Sequence, residues 1–115
     1  MERLFIEETL KTPEINFNPG AGIFSIKGKS IPDDAESFYS EVLEWFDDYL
    51  VSPNGETEVS IDLEYFNISS SKRLLFLLYK LNDLNASNNS VRVKWMYNQD
   101  DNQVFQVSRH PMSLV

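Results

Sequence analysis

The sequence predicts a single α/β domain, in which two main helices pack on an open mixed β-sheet as an α/β sandwich. Stretches 35–49 and 74–84 repeat apolar residues every three or four positions, as amphipathic helices do. Stretches around them alternate apolar and polar residues, as half-buried strands do. The chain has 115 residues, enough for one core, and no repeat or low-complexity linker divides it. We therefore expect residues 1–115 to form one domain.

The first half is predicted to contain a hairpin and then a helix. Two β-like runs, 14–18 and 23–28, flank the turn sequence PGAG. The first helix is expected to begin near Pro32, where acids follow in the first turn, and to run to about Leu50. Its predicted buried face consists of apolar residues at helical spacing: Ala35, Phe38, Val42, Trp45 and Tyr49.

A strand, a helix and a strand are predicted to follow. In the strand after the first helix, apolar and polar residues alternate, and the predicted buried face consists of Val59, Ile61, Leu63 and Tyr65. The second helix is expected to begin near Ser69 or Ser70, with the core stripe Leu74, Leu77, Leu78, Leu81 and Leu84. The next strand buries Val91, Val93, Trp95 and Tyr97, and 104–107 is a candidate for a last short strand. The order β-β-α-β-α-β, with room for a strand at each end, predicts parallel pairing across each helix.

Charge and composition exclude several classes of function. The net charge is −8, and residues 33–64 hold eleven acids and no Lys or Arg. This field repels nucleic acids and anionic membranes, so we expect neither as a partner. No apolar run approaches the roughly 20 residues that span a bilayer. The chain has no cysteine and its N-terminus does not resemble a signal peptide, so we expect a cytoplasmic protein.

The sequence offers no convergent set of catalytic or metal-binding residues. The single histidine, His110, stands alone near the C-terminus. A G-x-S-x-G elbow, a phosphate-binding loop and a dinucleotide fingerprint are all absent. We therefore expect a non-enzymatic protein without metal or cofactor. Most aromatic residues fall on periodic core positions, whereas Phe46 and Phe66 are candidates for exposed contact points.

Two stretches remain as candidate sites. The acidic first helix carries Glu41, Glu44, Asp47 and Asp48, which either form a solvated face or meet a basic patch on a protein partner. The second stretch, 65–75, joins a strand to a helix through Asn67, Ile68, Ser69, Ser70, Ser71 and Lys72. One serine is enough to cap a helix, at about 1 kcal/mol. A phosphoryl group at the same place would meet unpaired backbone N–H groups and the positive end of the helix dipole.

At these motifs the chain resembles the SiaC-type regulatory phosphoproteins, small bacterial proteins with a fold like that of STAS anti-sigma factor antagonists. The resemblance extends to about residue 100. It rests on the motifs T-P-E at 12–14, G-x-S-x-P at 28–32 and N-x-S-S-S-K at 67–72, and on the segments around them. It implies a switch rather than a catalyst. By this resemblance we expect a Ser/Thr kinase to phosphorylate the strand-to-helix turn and a PP2C-type phosphatase to reverse the modification. The resemblance also implies that the unphosphorylated form binds and stimulates a diguanylate cyclase, with cyclic di-GMP and biofilm formation as output.

The chain departs from the family pattern at the acceptor position. The family usually reads N-T-S-S there, with the Thr as phosphoacceptor, whereas this chain has Ile68. Either Ser69, one residue away, has taken the acceptor role, or the chain is a constitutive scaffold or homo-oligomer without a switch. The chain also ends without the further acidic segment that the resemblance leads us to expect.

Overall fold

The computed structural model describes residues 1–87 and 89–97, and within them it confirms the mixed sheet with two packed helices. The five strands are β1 (Leu4–Ile6), β2 (Glu14–Asn18), β3 (Ile23–Ser30), β4 (Glu56–Phe66) and β5 (Ser90–Tyr97). They lie in the sheet in chain order. The β1–β2 and β2–β3 pairs are antiparallel, and the β3–β4 and β4–β5 pairs are parallel. The candidate strand at 104–107 lies outside the described residues.

The two helices, α1 (Ala35–Tyr49) and α2 (Ile68–Ala86), cover one face of the sheet. Their buried residues form one apolar cluster with alternate residues of the strands, and α1 packs beside α2. Both described helices lie on this face, and neither of them covers the other face of the sheet. No helix in the described part of the chain combines the length and apolarity needed to cross a membrane.

The predicted orientation of Tyr65 is wrong because β4 contains a bulge. Gly28 pairs with Leu63, but the next residue, Lys29, pairs with Tyr65, so Glu64 is the extra residue. An extra residue reverses the side-chain alternation beyond it. Tyr65 is therefore exposed, with the Lys29 ammonium 5.7 Å from its ring centroid.

The α1 face also differs in detail from the prediction. Phe46, a candidate for an exposed contact, is fully buried and lies among Phe17, Trp45 and Tyr49, whose ring centroids are 5.3–6.1 Å from its own. Tyr39 and Phe46 lie at the middle of the buried face of α1. Phe38 and Trp45 lie at its edges and are therefore only partly buried against the core. Phe66 is 37% exposed and its ring contacts that of Trp95.

Both helices begin at an acid or amide cap rather than where the sequence pattern placed them. In α1 the cap is Asp34, whose carboxylate accepts hydrogen bonds from the Ser37 N–H at 3.1 Å and the Ser37 hydroxyl at 2.8 Å. In α2 the cap is Asn67, so the helix starts at Ile68, one or two residues before the predicted start. No serine of the 69–71 run is needed as the N-cap.

Candidate functional site

The turn between β4 and α2 is held by Asn67 at both of its amide atoms. The Oδ1 atom accepts a hydrogen bond from the Ser70 N–H at 2.9 Å, and the Nδ2 group donates to the Pro32 carbonyl at 3.4 Å. The Asn67 backbone N–H donates to the Ser30 carbonyl at 3.0 Å. The start of α2 is therefore fixed to the end of β3 and the segment after it.

A buried chain of hydroxyl groups lies beneath this turn. The Ser30 hydroxyl is 2.7 Å from the Tyr39 hydroxyl and donates to the Ser70 hydroxyl at 2.7 Å. The Ser70 hydroxyl in turn donates to the Ser30 carbonyl at 3.0 Å. Burial raises the pKa of Tyr39 to about 12, although the hydrogen bond to Ser30 opposes the shift. This network couples β3, α1 and α2 in the core.

The three serines of the turn have three different environments. Ser70 is fully buried and belongs to the hydroxyl network. Ser71 is half-buried, and its hydroxyl donates to the Ile68 carbonyl at 2.7 Å. Ser69 is exposed, and its hydroxyl makes no hydrogen bond to another described residue. Ile68, at the first helical position, is 81% exposed.

Ser69 lines a groove of about 260 Å³ between the first turns of the two helices. Acids stand on the α1 side, at Asp33, Asp34 and Glu36, and cations stand on the α2 side, at Lys72 and Arg73. Hydrogen bonds from Ser37 lower the pKa of Asp34 from its ordinary value of 3.8. Neither Lys72 nor Arg73 forms an ion pair with another described residue.

The acidic residues of α1 lie on the side of the helix away from the sheet. Glu41, Glu44 and Asp48 are exposed. Asp47 is also exposed but pairs with Lys80 of α2, so its charge is partly balanced within the chain. The negative charge available to a partner therefore lies mainly on the other three.

Sequence reasoning did not identify Ser30 and Tyr39 as supports of the site. A signal was present in the G-x-S-x-P run at 28–32, because Ser30 and Pro32 both contact the turn. Gly28 has φ of 124°, and a Cβ there would lie 2.6 Å from Oε2 of Glu8, so the position favours glycine. Ser30 enters the hydroxyl network, and Pro32 supplies the carbonyl that Asn67 contacts.

Residues 1–87 and 89–97 contain no group of three or more His, Cys, Asp or Glu side chains placed to hold a metal ion. His110 lies outside the described residues. Within the described part of the chain, exposed polar and charged side chains from the starts of both helices meet in the groove around Ser69.

The sheet with two helices on one face and the hydroxyl-rich turn fit the class of small regulatory phosphoproteins that the sequence motifs resemble. The model of the SiaC family, described as SiaC family regulatory phosphoprotein, matches residues 6–113, and the chain belongs to this family. The resemblance stated from the sequence is thereby confirmed.

Individual relatives agree with this assignment. An uncharacterised protein of Pseudomonas aeruginosa strain UCBPP-PA14 is 27% identical over 108 residues, which span 94% of this chain and 86% of the relative. The crystal structure of apo-SiaC from Pseudomonas aeruginosa is 28% identical with a TM-score of 0.78, covering 83% of this chain and 78% of that one. A structure of the diguanylate cyclase SiaD in complex with its activator SiaC, from the same organism, matches with 28% identity and a TM-score of 0.75 over 80% of this chain and 75% of the matched chain.

Proposed function

We propose that this chain is a non-enzymatic regulator that binds a diguanylate cyclase and is controlled by phosphorylation at the start of α2. The observation that supports a cyclase partner is the similarity to a SiaC protein that activates a diguanylate cyclase in a solved complex. A Ser/Thr kinase and a PP2C-type phosphatase complete the proposed cycle. The cyclase-binding form is the unphosphorylated one.

Ser69 is our proposed acceptor within the turn. A kinase needs the acceptor hydroxyl to reach the transferred phosphoryl group in line. The Ser70 hydroxyl is buried and hydrogen-bonded on both sides, and that of Ser71 is occupied by the Ile68 carbonyl. Among the three serines, only the exposed Ser69 hydroxyl is open to such an approach.

A phosphoryl group on Ser69 would change the electrostatics of the groove. It would add a charge of about −1.5 to −2 at a helix start, where the dipole and free N–H groups favour an anion. Lys72 and Arg73 line the same groove and make no ion pair with the described residues, so they are available to it. Asp33, Asp34 and Glu36 oppose the added charge from the α1 side. The groove has acids on its α1 side and cations on its α2 side, and the phosphoryl group would therefore make it strongly negative where it opens to solvent.

A constitutive binder without a switch is the second candidate function. The observation that favours it is Ile68, which has no hydroxyl and is 81% exposed where the family pattern carries its acceptor. In this case the chain would remain in the cyclase-binding form at all times.

The phosphosite map of the full-length protein from its native cells distinguishes the two. We expect one phosphoryl group, on Ser69, which increases on incubation with ATP and the cognate kinase. The variant Ser69→Ala should remain unmodified, whereas the matched control Ser71→Ala should be modified like the wild type. If the protein stays unmodified in the presence of active kinase and still stimulates the cyclase, the switch at Ser69 is excluded. The constitutive binder is then the function that the result supports.

A further inference from the structure

The loop between α1 and β4 contains the dipeptide Asn54–Gly55, which lies directly before the first residue of β4. Asn54 is half-buried, whereas Gly55 is exposed. The Gly55 N–H donates no hydrogen bond to another described residue. Apart from its two chain neighbours, no described residue has a heavy atom within 4 Å of the place where a Gly55 Cβ would stand. The peptide nitrogen after Asn54 is therefore neither engaged nor crowded by the part of the chain that the structure describes.

Asn54 itself joins three other segments at this end of the sheet. Its Nδ2 group donates to the carbonyl of Pro19, in the short turn between β2 and β3, at 3.1 Å. Its backbone N–H donates to the hydroxyl of Tyr49, the last residue of α1, at 3.0 Å. Its carbonyl accepts a hydrogen bond from Nδ2 of Asn89, in the loop before β5, at 3.0 Å. A change in the charge or length of this one residue would therefore act on all three contacts.

We propose that Asn54–Gly55 is a site of spontaneous covalent modification, at which the Gly55 amide and water convert Asn54 to aspartate or isoaspartate, and that the conversion loosens this end of the sheet. Asparagine is a thermolabile residue. Here the attacking nitrogen and the amide carbon belong to neighbouring residues, so the reaction is intramolecular and closes a small ring. The site lies at the opposite end of β4 from Ser69, and the proposal does not depend on the proposed function.

The reaction consumes one water molecule and releases one ammonia molecule. Hydroxide removes the Gly55 amide proton, and the nitrogen forms a bond to Cγ of Asn54. The Cγ–Nδ2 bond then breaks, and ammonia leaves with a proton from water, which regenerates hydroxide and leaves a cyclic succinimide. Water cleaves one of the two C–N bonds of the ring. Cleavage at Cγ gives aspartate, whereas cleavage at the main-chain carbonyl carbon gives isoaspartate, in which the main chain runs through the former side chain.

The fold restrains Asn54 less than it restrains other asparagines. Among the described residues, only the Pro19 carbonyl binds its side-chain amide, and a single hydrogen bond in a loop opens by local fluctuation without global unfolding. Asn67 uses both of its amide atoms in hydrogen bonds, and Asn85 lies within α2. Both are followed by a residue with a Cβ, which hinders approach of the next nitrogen. We therefore expect Asn54 to react first among these three.

Either product would weaken the contacts at this end of the sheet. The Nδ2 donor is replaced by a carboxylate oxygen, which repels the Pro19 carbonyl instead of donating to it. Isoaspartate also adds a methylene group to the main chain. That displacement would disturb the hydrogen bond to the Tyr49 hydroxyl and the one from the Ser90 N–H to the Gly55 carbonyl, which is 3.0 Å long. The converted protein carries one negative charge more than the original net charge of −8.

The first test follows the full-length folded protein during incubation in neutral and in mildly alkaline buffer. Peptide mass spectrometry detects conversion as the mass change from NH to O at each asparagine. We expect conversion at position 54, faster in the alkaline buffer and with both products present, while Asn67 and Asn85 remain unchanged. Gly55→Ala is the matched control, because the site has room for a Cβ and Gly55 does not have a left-handed φ. Its conversion at position 54 should fall to the level of the two reference asparagines.

Three other results would overturn the proposal. Conversion at position 54 that is rapid in urea but absent from the folded protein would show that the contact with Pro19 protects the site. Equal conversion in Gly55→Ala and wild type would show that attack by the Gly55 nitrogen is not the route. Conversion at Asn67 or Asn85 as fast as at Asn54 would show that the loop confers no selectivity.

Stability measurements test the effect of the conversion on the fold. Ion-exchange chromatography separates the converted protein by its added negative charge, and urea unfolding compares it with freshly purified protein. The variant Asn54→Asp reproduces the charge and the lost donor without the longer main chain. We expect the ratio of folded to unfolded protein to fall about 5-fold in Asn54→Asp, as for one lost hydrogen bond, and further in the isoaspartate fraction. Equal stabilities of all three proteins would overturn the inferred loosening of the sheet.

Discussion

The hydroxyl oxygens of Ser30 and Ser70 lie 2.7 Å apart in the core, although the residues are forty positions apart in the chain. This contact joins the end of β3 to the first turn of α2, and Tyr39 extends it to α1. The neighbouring Ser69 shares none of it. Two adjacent serines of one turn therefore have separate roles, one in the stability of the turn and one at its surface.

Removing the Ser70 hydroxyl should destabilise the protein, whereas removing that of Ser69 should not. In Ser70→Ala the Ser30 hydroxyl loses its acceptor, and leaving a buried polar group unpaired costs about 1–3 kcal/mol. Ser69→Ala removes an exposed hydroxyl without a described partner, so its effect should stay within about 0.5 kcal/mol. Urea unfolding of both variants measures the difference. Equal stabilities would show that the network contributes nothing.

Tyr39 should make the protein sensitive to alkali. Its pKa is raised to about 12 by burial, so the folded state holds the phenolic proton more tightly than the unfolded state. This contribution to stability is complete below pH 10 and is lost as the pH rises from 10 to 12. It amounts to about 2–3 kcal/mol at 1.36 kcal/mol per pKa unit.

Tyr39→Phe is the control for that titration. The variant should be less stable than the wild type at neutral pH by about 1 kcal/mol, because it lacks the hydrogen bond to Ser30. Between pH 10 and 12 its free energy of unfolding should fall less steeply than that of the wild type. Parallel pH profiles would remove Tyr39 as the source of the alkaline loss.

The Asp34 cap should respond to acid. Its pKa is lowered by hydrogen bonds from Ser37, so its contribution is present above the unfolded value of 3.8 and is lost as the pH falls through the lower folded value. Asp34→Asn keeps an acceptor for the Ser37 N–H but does not titrate. The difference in unfolding free energy between wild type and Asp34→Asn should therefore decrease below pH 3.8. A difference that stays constant with pH would contradict this assignment.

The acidic face of α1 should accelerate association with a cyclase that presents a basic patch. Reversing Glu41 and Glu44 to lysine removes exposed negative charge that forms no ion pair with another described residue, and it should slow association about 10-fold at low salt. Asp47 is left in place because it pairs with Lys80. The control is Asp62→Lys, an exposed acid on β4. Stopped-flow association at two salt concentrations is the measurement, and an unchanged rate would exclude α1 from the encounter surface.

The sequence predicted the elements well because each buries one regular face. The apolar periods of α1, β4 and α2 are strong, and the structure places elements at all three. The bulge at Glu64 could not be predicted from the alternation of apolar and polar residues. It depends on how β4 pairs with β3, and it leaves the local alternation of the sequence intact. Tyr65 therefore faces solvent despite its apolar position in the pattern.

The candidate site was located from the sequence but not resolved into its parts. Residue type alone does not distinguish the three serines of 69–71. Nevertheless, Ser70 precedes Leu74 and Leu77 by four and seven residues, so helical spacing alone places it on the buried stripe. The partners of Ser70, Ser30 and Tyr39, come from distant segments, and only the folded chain brings them together.

Strand order in the described sheet equals chain order, and this bears on how the protein forms during its synthesis. Each strand pairs with the one made just before it, so a nascent chain never needs to insert a new strand between two earlier ones. Loop closure is short for the antiparallel β1–β2 and β2–β3 pairs, which favours their rapid formation, whereas the parallel β3–β4 and β4–β5 pairs close across an intervening helix. The residues of β1–β3 are synthesised before those of α1, and each later helix–strand pair adds to one edge of the sheet. The Ser30 carbonyl, at the end of β3, is thus synthesised with the antiparallel strands and well before Ser70, the residue whose hydroxyl donates to it.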